Sequence, residues 1–266
     1  MKISIITVTF NAETTIERTL RSVASQCFTD GVGEYTADYS QGREYEVEHW
    51  VVDGASKDNT MEVVRRYAQV KWVSEPDSGI YDAMNKGLHL ATGDYLVFLN
   101  AGDALHDSDS LRNVFTAARE AQSAGLPLPA VIYGQTEWVD EDERFIDMRN
   151  HWAPDHLSSR SFLKGMLVCH QAFYARTDLA RETPYDLQWR FSADYDWCIR
   201  LMRSAERQHL PMVNTKYILA RYLAEGMTTH NHTASLRERL RIMAHHYGWL
   251  AALWQHVLLV IKNMWS

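Results

Sequence analysis

Gly93-Asp94-Tyr95-Leu96-Val97-Phe98-Leu99-Asn100-Ala101-Gly102-Asp103 is an apolar run that stops abruptly at a loop of small residues carrying a carboxylate. Tyr95 to Leu99 is too short for an ordinary helix and lies between glycines, so it reads as a buried strand. Asp103 then stands just beyond the strand's carboxyl end. In an open parallel α/β sheet that is where ligands bind, and Ala101 and Gly102 let a ligand approach closely. A carboxylate so placed is a candidate metal or phosphate site.

The same grammar recurs twice. Glu48-His49-Trp50-Val51-Val52 runs into Asp53-Gly54-Ala55-Ser56-Lys57-Asp58, and Ile3 to Phe10 runs into Asn11. Each apolar strand ends in a polar, small-residue loop and is followed by a helical pattern, which is the layout of a nucleotide-binding α/β sheet.

Around this frame the chain has 266 residues and a formal charge of −7, enough for one large α/β domain or two small ones. The acidic balance argues against a nucleic-acid partner, which calls for a basic face. Cys27, Cys169 and Cys198 are widely separated and show no CxxC spacing, so neither a zinc site nor a disulfide framework is indicated and a reducing compartment fits best. The opening MKISIITVTF is too short and too β-branched for a signal peptide or a spanning helix, which predicts a cytoplasmic protein.

Ile16, Leu20, Val23 and Ala24 mark a first helix, with Glu13 near its positive end. Phe28 to Tyr45 reads as an inserted surface loop. Asn59 and Glu62 have capping-box spacing ahead of a second helix. A third runs from near Gly79 to Thr92-Gly93, and a fourth from Ser110 to Ala121. Gly125-Leu126-Pro127-Leu128-Pro129 is the best internal boundary. Beyond it, Ala130 to Tyr133, Phe145 to Met148 and Leu167 to Arg176 are strand-like, and Asp194 to Ala205 is helical. In the tail, Leu236, Leu240 and Met243 mark an amphipathic helix flanked by Arg237, Arg239 and Arg241. The Trp-rich apolar segment Trp249 to Ile261 follows, with Trp254 and Trp265 along it. That combination suits a helix lying in a membrane interface; a helix packed on the body or against a second copy is the other reading.

The blocks SIITVTFN, VVDGASKDNT, EPDSGIYDAMNKG and GDYLVFLNAGD, in this order and spacing, resemble glycosyltransferase family 2, the inverting nucleotide-sugar transferases. The resemblance implies the A-type glycosyltransferase fold, a Rossmann-like, mainly parallel sheet flanked by helices, here with a C-terminal helical tail. It divides the chain into a donor-binding half at 1–124, an acceptor-binding half at 130–230 and the tail at 233–266. Asp103 matches the family's metal-binding Asp, which implies a divalent cation, Mn2+ or Mg2+, although Asn100 and Gly102 stand where further carboxylates are common.

Asp53 matches the residue that accepts a hydrogen bond from the pyrimidine ring, and Thr9 and Asn11 match the loop around the base, which favours a UDP-sugar over a GDP-sugar. Ser56 and Ala101 fall in the same donor-binding blocks. Asp77 and Gly79 open a helix whose free N–H groups attract anions. Asn85 and Lys86 match an Asn-Lys-Gly segment that touches ribose, phosphate or sugar. Asp194, in Ser192-Ala193-Asp194-Tyr195-Asp196-Trp197, matches the general base; Ala193 replaces the Glu often found before it, and Asp196 is a substitute base. Cys169-His170-Gln171-Ala172 resembles a strand facing the acceptor, so His170 and Gln171 are acceptor contacts by that likeness. Glu225 to His230 reads as a mobile loop, with His230 as an extra metal ligand.

The implied activity is metal-dependent transfer of one sugar from a nucleotide-diphosphate donor to a polysaccharide-repeat acceptor, lipid-linked and presented at a membrane face, closest to exopolysaccharide and colanic-acid transferases. The processive QxxRW signature is not matched, since Gln188-Trp189-Arg190 has the wrong spacing. A nucleotidyltransferase would carry a Gly-rich, basic loop after the first strand, and Thr9-Phe10-Asn11-Ala12-Glu13 has neither Gly nor Lys. A nucleotide-sugar-binding scaffold docked on the membrane is the non-enzymatic alternative.

Overall fold

β1 (Lys2–Thr9) lies between two parallel neighbours, β2 (Glu46–Asp53) and β4 (Tyr95–Phe98). Strands enclosed in this way are covered on both faces, and the near-continuous run Ile3-Ser4-Ile5-Ile6-Thr7-Val8 suits that position. The computed structural model describes residues 1–26, 45–148, 152–224 and 232–264. Cys27, the loop expected from Phe28, and the Glu225–His230 loop with His230 lie outside the described residues, as does Trp265.

β3 (Val70–Ser74) extends the parallel part beyond β2. On the other side the sheet continues through β8 (Phe173–Arg176), β6 (Val131–Val139), β9 (Met212–Leu223) and β5 (Ala104–Leu105), with β7 (Phe145–Met148) paired to β6. The order β3-β2-β1-β4 is parallel; beyond β4 the pairings are mixed. One sheet thus runs across the Pro-Gly boundary at 125–129, with β5 of the first half hydrogen-bonded to β9 of the second.

The period-two alternation of β1 sorts the helices into two layers. Ile3 and Ile5 face α4 (Ser110–Ser123) through Leu111, Val114 and Phe115. On that side, α1 (Ile16–Ser25) and α2 (Thr60–Arg65) pack Ile16, Leu20, Met61 and Val64 on Val51. Ile6 and Val8 face the opposite layer of α3 (Ile80–Leu90), α5 (Thr177–Glu182) and α6 (Ala193–Arg207). There Trp197 is fully buried, stacked on Tyr185 at 4.9 Å and edge-on to Phe98 at 5.8 Å. Such aromatic pairs contribute roughly 0.5–1.5 kcal/mol each beyond area burial, and they fix the first turns of α6 against β4.

Several local expectations are corrected. Asn59 is the N-cap of α2 but makes no side-chain cap; Asp58 accepts from Thr60 N (3.0 Å) and Thr60 Oγ1 (2.5 Å) in its place. Glu13 serves α2 and not α1, its carboxylate accepting from Asn59 N at 2.9 Å. Of the strand expected over Leu167 to Arg176, only the end is extended; His170–Ala172 is a 3-10 turn.

The tail forms two helices. α7 (His232–Tyr247) packs on the body through buried Ile242, Met243 and Ala244. α8 (Trp249–Met264) follows a turn at Gly248, whose φ of 86° is the left-handed conformation expected where a helix ends. It leaves Trp249, Leu250, Leu253, Trp254, Val257 and Leu258 exposed. No helix among the described residues is long and apolar enough to cross a membrane.

Candidate active site

The carboxyl ends of β1 and β4, the start of α3, the first turn of α6, the end of β9 and one residue of α7 enclose a cleft of about 450 Å3. Of the residues expected to act, Thr9, Asp77, Gly79, Ala101, Asp103 and Asp194 line it. Asn11, Asp53, Ser56, Asn85 and Lys86 do not.

Asp103 is reached through a tight turn in which Asp103 N donates to Asn100 O at 2.9 Å. Gly102 takes φ 99° there, and a Cβ at that position would come within 3.1 Å of Leu223, so glycine is required twice over. Thr19 of α1 holds the turn: its hydroxyl accepts from Gly102 N (2.9 Å) and donates to Asp103 O (2.6 Å). The Asp103 carboxylate is buried and accepts from Gln171 Nε2 at 2.8 Å and from Leu223 N at 3.2 Å.

Asp194 lies in the first turn of α6, where a carboxylate is favoured by the helix dipole. Tyr81 of α3 donates to Asp194 Oδ1 at 3.2 Å, and His170 Nδ1 is 3.2 Å from Oδ2. Against an ionised Asp194, His170 carries its proton on Nδ1, and Nε2 then accepts from the Asn100 amide 3.3 Å away. His170 and Gln171, expected to contact an acceptor, are turned by the 3-10 geometry onto the two carboxylates, one to each. Although Ala193 stands before it, Asp194 thus has a polar neighbour in His170.

Asp196 is no substitute base. It is buried beneath α7, bound to Arg200 Nε at 2.6 Å and His246 Nε2 at 2.7 Å. Burial opposes its ionisation, but the hydrogen bonds from His246 and Arg200 outweigh that and hold its pKa below the ordinary value.

The remaining expected residues build walls. Asp53 is fully buried and accepts from Ser56 N (3.0 Å), the Ser56 hydroxyl and Ser74 Oγ (2.6 Å). Asn11, at φ 49°, donates its N–H to Ser56 Oγ at 2.8 Å and accepts from Lys57 N at 2.9 Å, so the β1 and β2 loops are knitted together. Asn85 clamps the Tyr185 backbone at both its N–H and C=O (2.7 and 3.0 Å). Lys86 binds Glu75 and Pro76 O, each at 2.8 Å, pinning the segment that leads to Asp77. Gly54 is closely packed: a Cβ there would come within 2.5 Å of Asp77 Oδ2 and 3.3 Å of the Phe10 ring, whose other face is exposed.

Sequence reasoning overlooked Tyr81, Tyr222, Phe191, Arg190 and Arg239, which also line the cleft. Tyr81 lies within a quoted block. The others come from segments with no local motif, and only the fold brings them in.

Whether these residues suit a divalent cation is decided by the donor set. Among the described residues no group of three or more His, Cys, Asp or Glu side chains converges, so no closed cage is built. Asp103 is accompanied by neutral oxygens: Asn100 Oδ1 and Gln171 Oε1 are buried without a hydrogen-bond partner among the described residues. Small divalent cations keep several waters and take one or two carboxylates together with substrate phosphates. The residues present therefore fit an ion that arrives with a diphosphate.

Comparison with known proteins adds the following. Residues 4–181 match the model of glycosyl transferase family 2. An uncharacterized glycosyltransferase of Mycobacterium tuberculosis is 30% identical over 245 residues, covering 91% of this chain and 82% of its own length. Among solved structures, residues 1–349 of TarS from S. aureus in complex with UDP superimpose with a TM-score of 0.64 at 17% identity, over 92% of this chain. The matched part is 64% of that TarS chain. A mannosyltransferase from Pyrobaculum calidifontis, in complex with GDP-Man and Mn2+, gives a TM-score of 0.59 at 15% identity, over 97% of this chain and 75% of its own.

Proposed function

Since the chain belongs to glycosyl transferase family 2 and has the A-type glycosyltransferase fold, we propose that this glycosyltransferase moves a single sugar, with inversion, from a nucleotide-diphosphate donor to a lipid-linked glycan acceptor. The observation that carries this reading is one cleft with Asp103 on its β4 wall and Asp194 on its α6 wall, each gripped by one of two adjacent residues, Gln171 and His170. The donor half spans 1–124, the acceptor half 130–230 and the tail 233–266. The acceptor is an exopolysaccharide-type repeat, met at the cytoplasmic face of a membrane.

The exposed ring of Phe10 at the cleft offers a face on which a planar base can stack, with Asp77 of the same lining as the acceptor for its imino N–H. Asp77 takes the base-reading part first given to Asp53, whose carboxylate already accepts from Ser56 and Ser74. Both uracil and guanine offer such a donor; a UDP-sugar is our preferred donor.

Asp194 acts as the general base, accepting the proton of the acceptor hydroxyl as that oxygen attacks the anomeric carbon opposite the departing diphosphate. Tyr81 and His170 orient the carboxylate. Asp103 would hold the divalent cation, with Asn100 and Gln171 oxygens beside it. When bound, that ion neutralises charge developing on the diphosphate.

Calorimetric titration of UDP and GDP, with and without Mn2+, tests the donor assignment on the native protein and on Asp103→Ala. Mn2+-dependent UDP binding that Asp103→Ala loses is the expected result. A native protein that binds neither nucleotide overturns the reading.

A further inference from the structure

We propose that Arg190 and Arg239 form an anion subsite for the phosphate of a lipid-linked acceptor, whose chain lies along the open apolar face of α8. This rests on the transferase reading above and names the acceptor chemistry of the same cleft.

Both guanidinium groups line the cleft, Arg190 from the segment that leads into α6 and Arg239 from α7. Three other arginines are paired with carboxylates: Arg221 with Glu137 at 2.8 Å, Arg200 with Asp196 at 2.6 Å and Arg176 with Asp178 at 2.7 Å. Arg190 and Arg239 form no ion pair with a carboxylate among the described residues, and Arg239 Nε is buried with no hydrogen-bond partner there. Their neighbouring acid, Glu238, is already engaged. Its carboxylate accepts from the backbone N–H groups of Arg190 (2.9 Å), Phe191 (2.8 Å) and Ser192 (2.7 Å). Two guanidiniums without an ion pair in one cleft, one of them with a buried unsatisfied Nε, present donors that an anion can complete, and the planar fork of arginine matches a phosphate.

Location separates this anion from the donor's diphosphate. Asp103, Asp77 and Thr9 belong to the β1, β4 and α3 side, whereas the arginines belong to the α6–α7 side that carries Asp194. A group held there lies with the attacking hydroxyl.

The lipid follows from α8. It packs against α7 and shows solvent Trp249, Leu250, Leu253, Trp254, Val257 and Leu258, between 40% and 88% exposed. The spacing i, i+1, i+4, i+5, i+8, i+9 gathers them on one side of the helix. An apolar stripe bearing two tryptophans, one helix away from a cationic cleft, matches a molecule with a phosphate head and a long hydrocarbon chain.

The test uses the full chain saturated with UDP and Mn2+, titrated with farnesyl diphosphate, inorganic pyrophosphate and farnesol. We expect saturable binding of farnesyl diphosphate, weakened at least about tenfold by Arg239→Gln and by the exposed-site variant Arg190→Gln, and weakened by Trp254→Ser. UDP affinity should be unchanged in all three. Pyrophosphate binding as tightly as farnesyl diphosphate would remove the lipid; farnesol binding equally would remove the anion subsite. Loss of UDP affinity in either arginine variant would assign the arginines to the donor. A native protein that fails to bind UDP overturns the transferase reading instead, so the two failures are distinguishable. An unchanged melting temperature in Arg190→Gln keeps that variant informative if Arg239→Gln does not fold.

Discussion

Asp194 receives its hydrogen bonds from α3 and from the 3-10 turn before β8, so its orientation depends on side chains more than 20 residues away. Asp194→Asn should lower transfer by roughly 100- to 10,000-fold, the usual contribution of a general base, while UDP affinity measured by calorimetry stays at the native value. His170→Ala should lower kcat by roughly 10- to 100-fold through misplacement of the carboxylate and leave the KM for donor nearly unchanged; a matching loss of donor affinity would contradict a positioning role. Asp103 and Asp194 were legible because each ends or begins an element in a motif of small residues. The surroundings of Asp53 were not legible for a physical reason: Ser74, which donates to its carboxylate, lies 21 residues away on β3, and nothing near Asp53 signals it. Likewise no local pattern says that Gln171 reaches Asp103 across 68 residues.

The helix α7 acts at one remove from the reacting atoms. Glu238 satisfies three backbone N–H groups ahead of α6, with Ser235 and Ser192 in contact beside it at 3.0 Å. Glu238→Ala leaves these donors without their acceptor, which should cost about 1–3 kcal/mol in chemical denaturation and lower kcat more than it raises the donor KM; Glu238→Gln should recover part of both. Removing the chain from Trp249 onward should spare UDP binding yet abolish co-sedimentation with anionic vesicles, and a shortened protein that still pellets refutes the interfacial role of α8. The helices apart from the six-residue α5 were readable because each carries an apolar stripe at helical period. β3, β5 and β9 were not. β3 is an edge strand with Lys71 and Trp72 facing water, β5 has two residues, and β9 is interrupted by Lys216 at φ 64° with register shifts against β6. Where alternation is broken or one face is wet, the period-two signal disappears.

At the scale of the molecule, two buried groups on β2 contribute to the response to acid, alongside Asp196. Burial holds His49 neutral down to about pH 3. Burial opposes the ionisation of Glu48, but hydrogen bonds from Ser4, Thr92 and Lys2 prevail and hold its pKa at about 2. Both folded values lie below the unfolded ones, so the unfolded chain takes up more protons as pH falls. Stability should be level above about pH 6.5, decline below it through His49, and fall more steeply below the ordinary Glu range as the Glu48 contribution is lost. Glu48→Gln should be less stable at neutral pH and remove only the steeper part, as urea denaturation at stepped pH would show.

The pairing of β5 with β9, together with the Leu223 amide on Asp103, joins points 120 residues apart. During synthesis, therefore, the ribosome must deliver β9 before Asp103 can acquire its second partner. The cleft is a late product of folding, since contacts this distant in sequence close slowly. A nascent chain halted at the Pro-Gly boundary would carry every quoted nucleotide-side motif yet expose the β4 edge that β8 covers, leaving an adhesive intermediate for chaperones to shield and not a working half-enzyme.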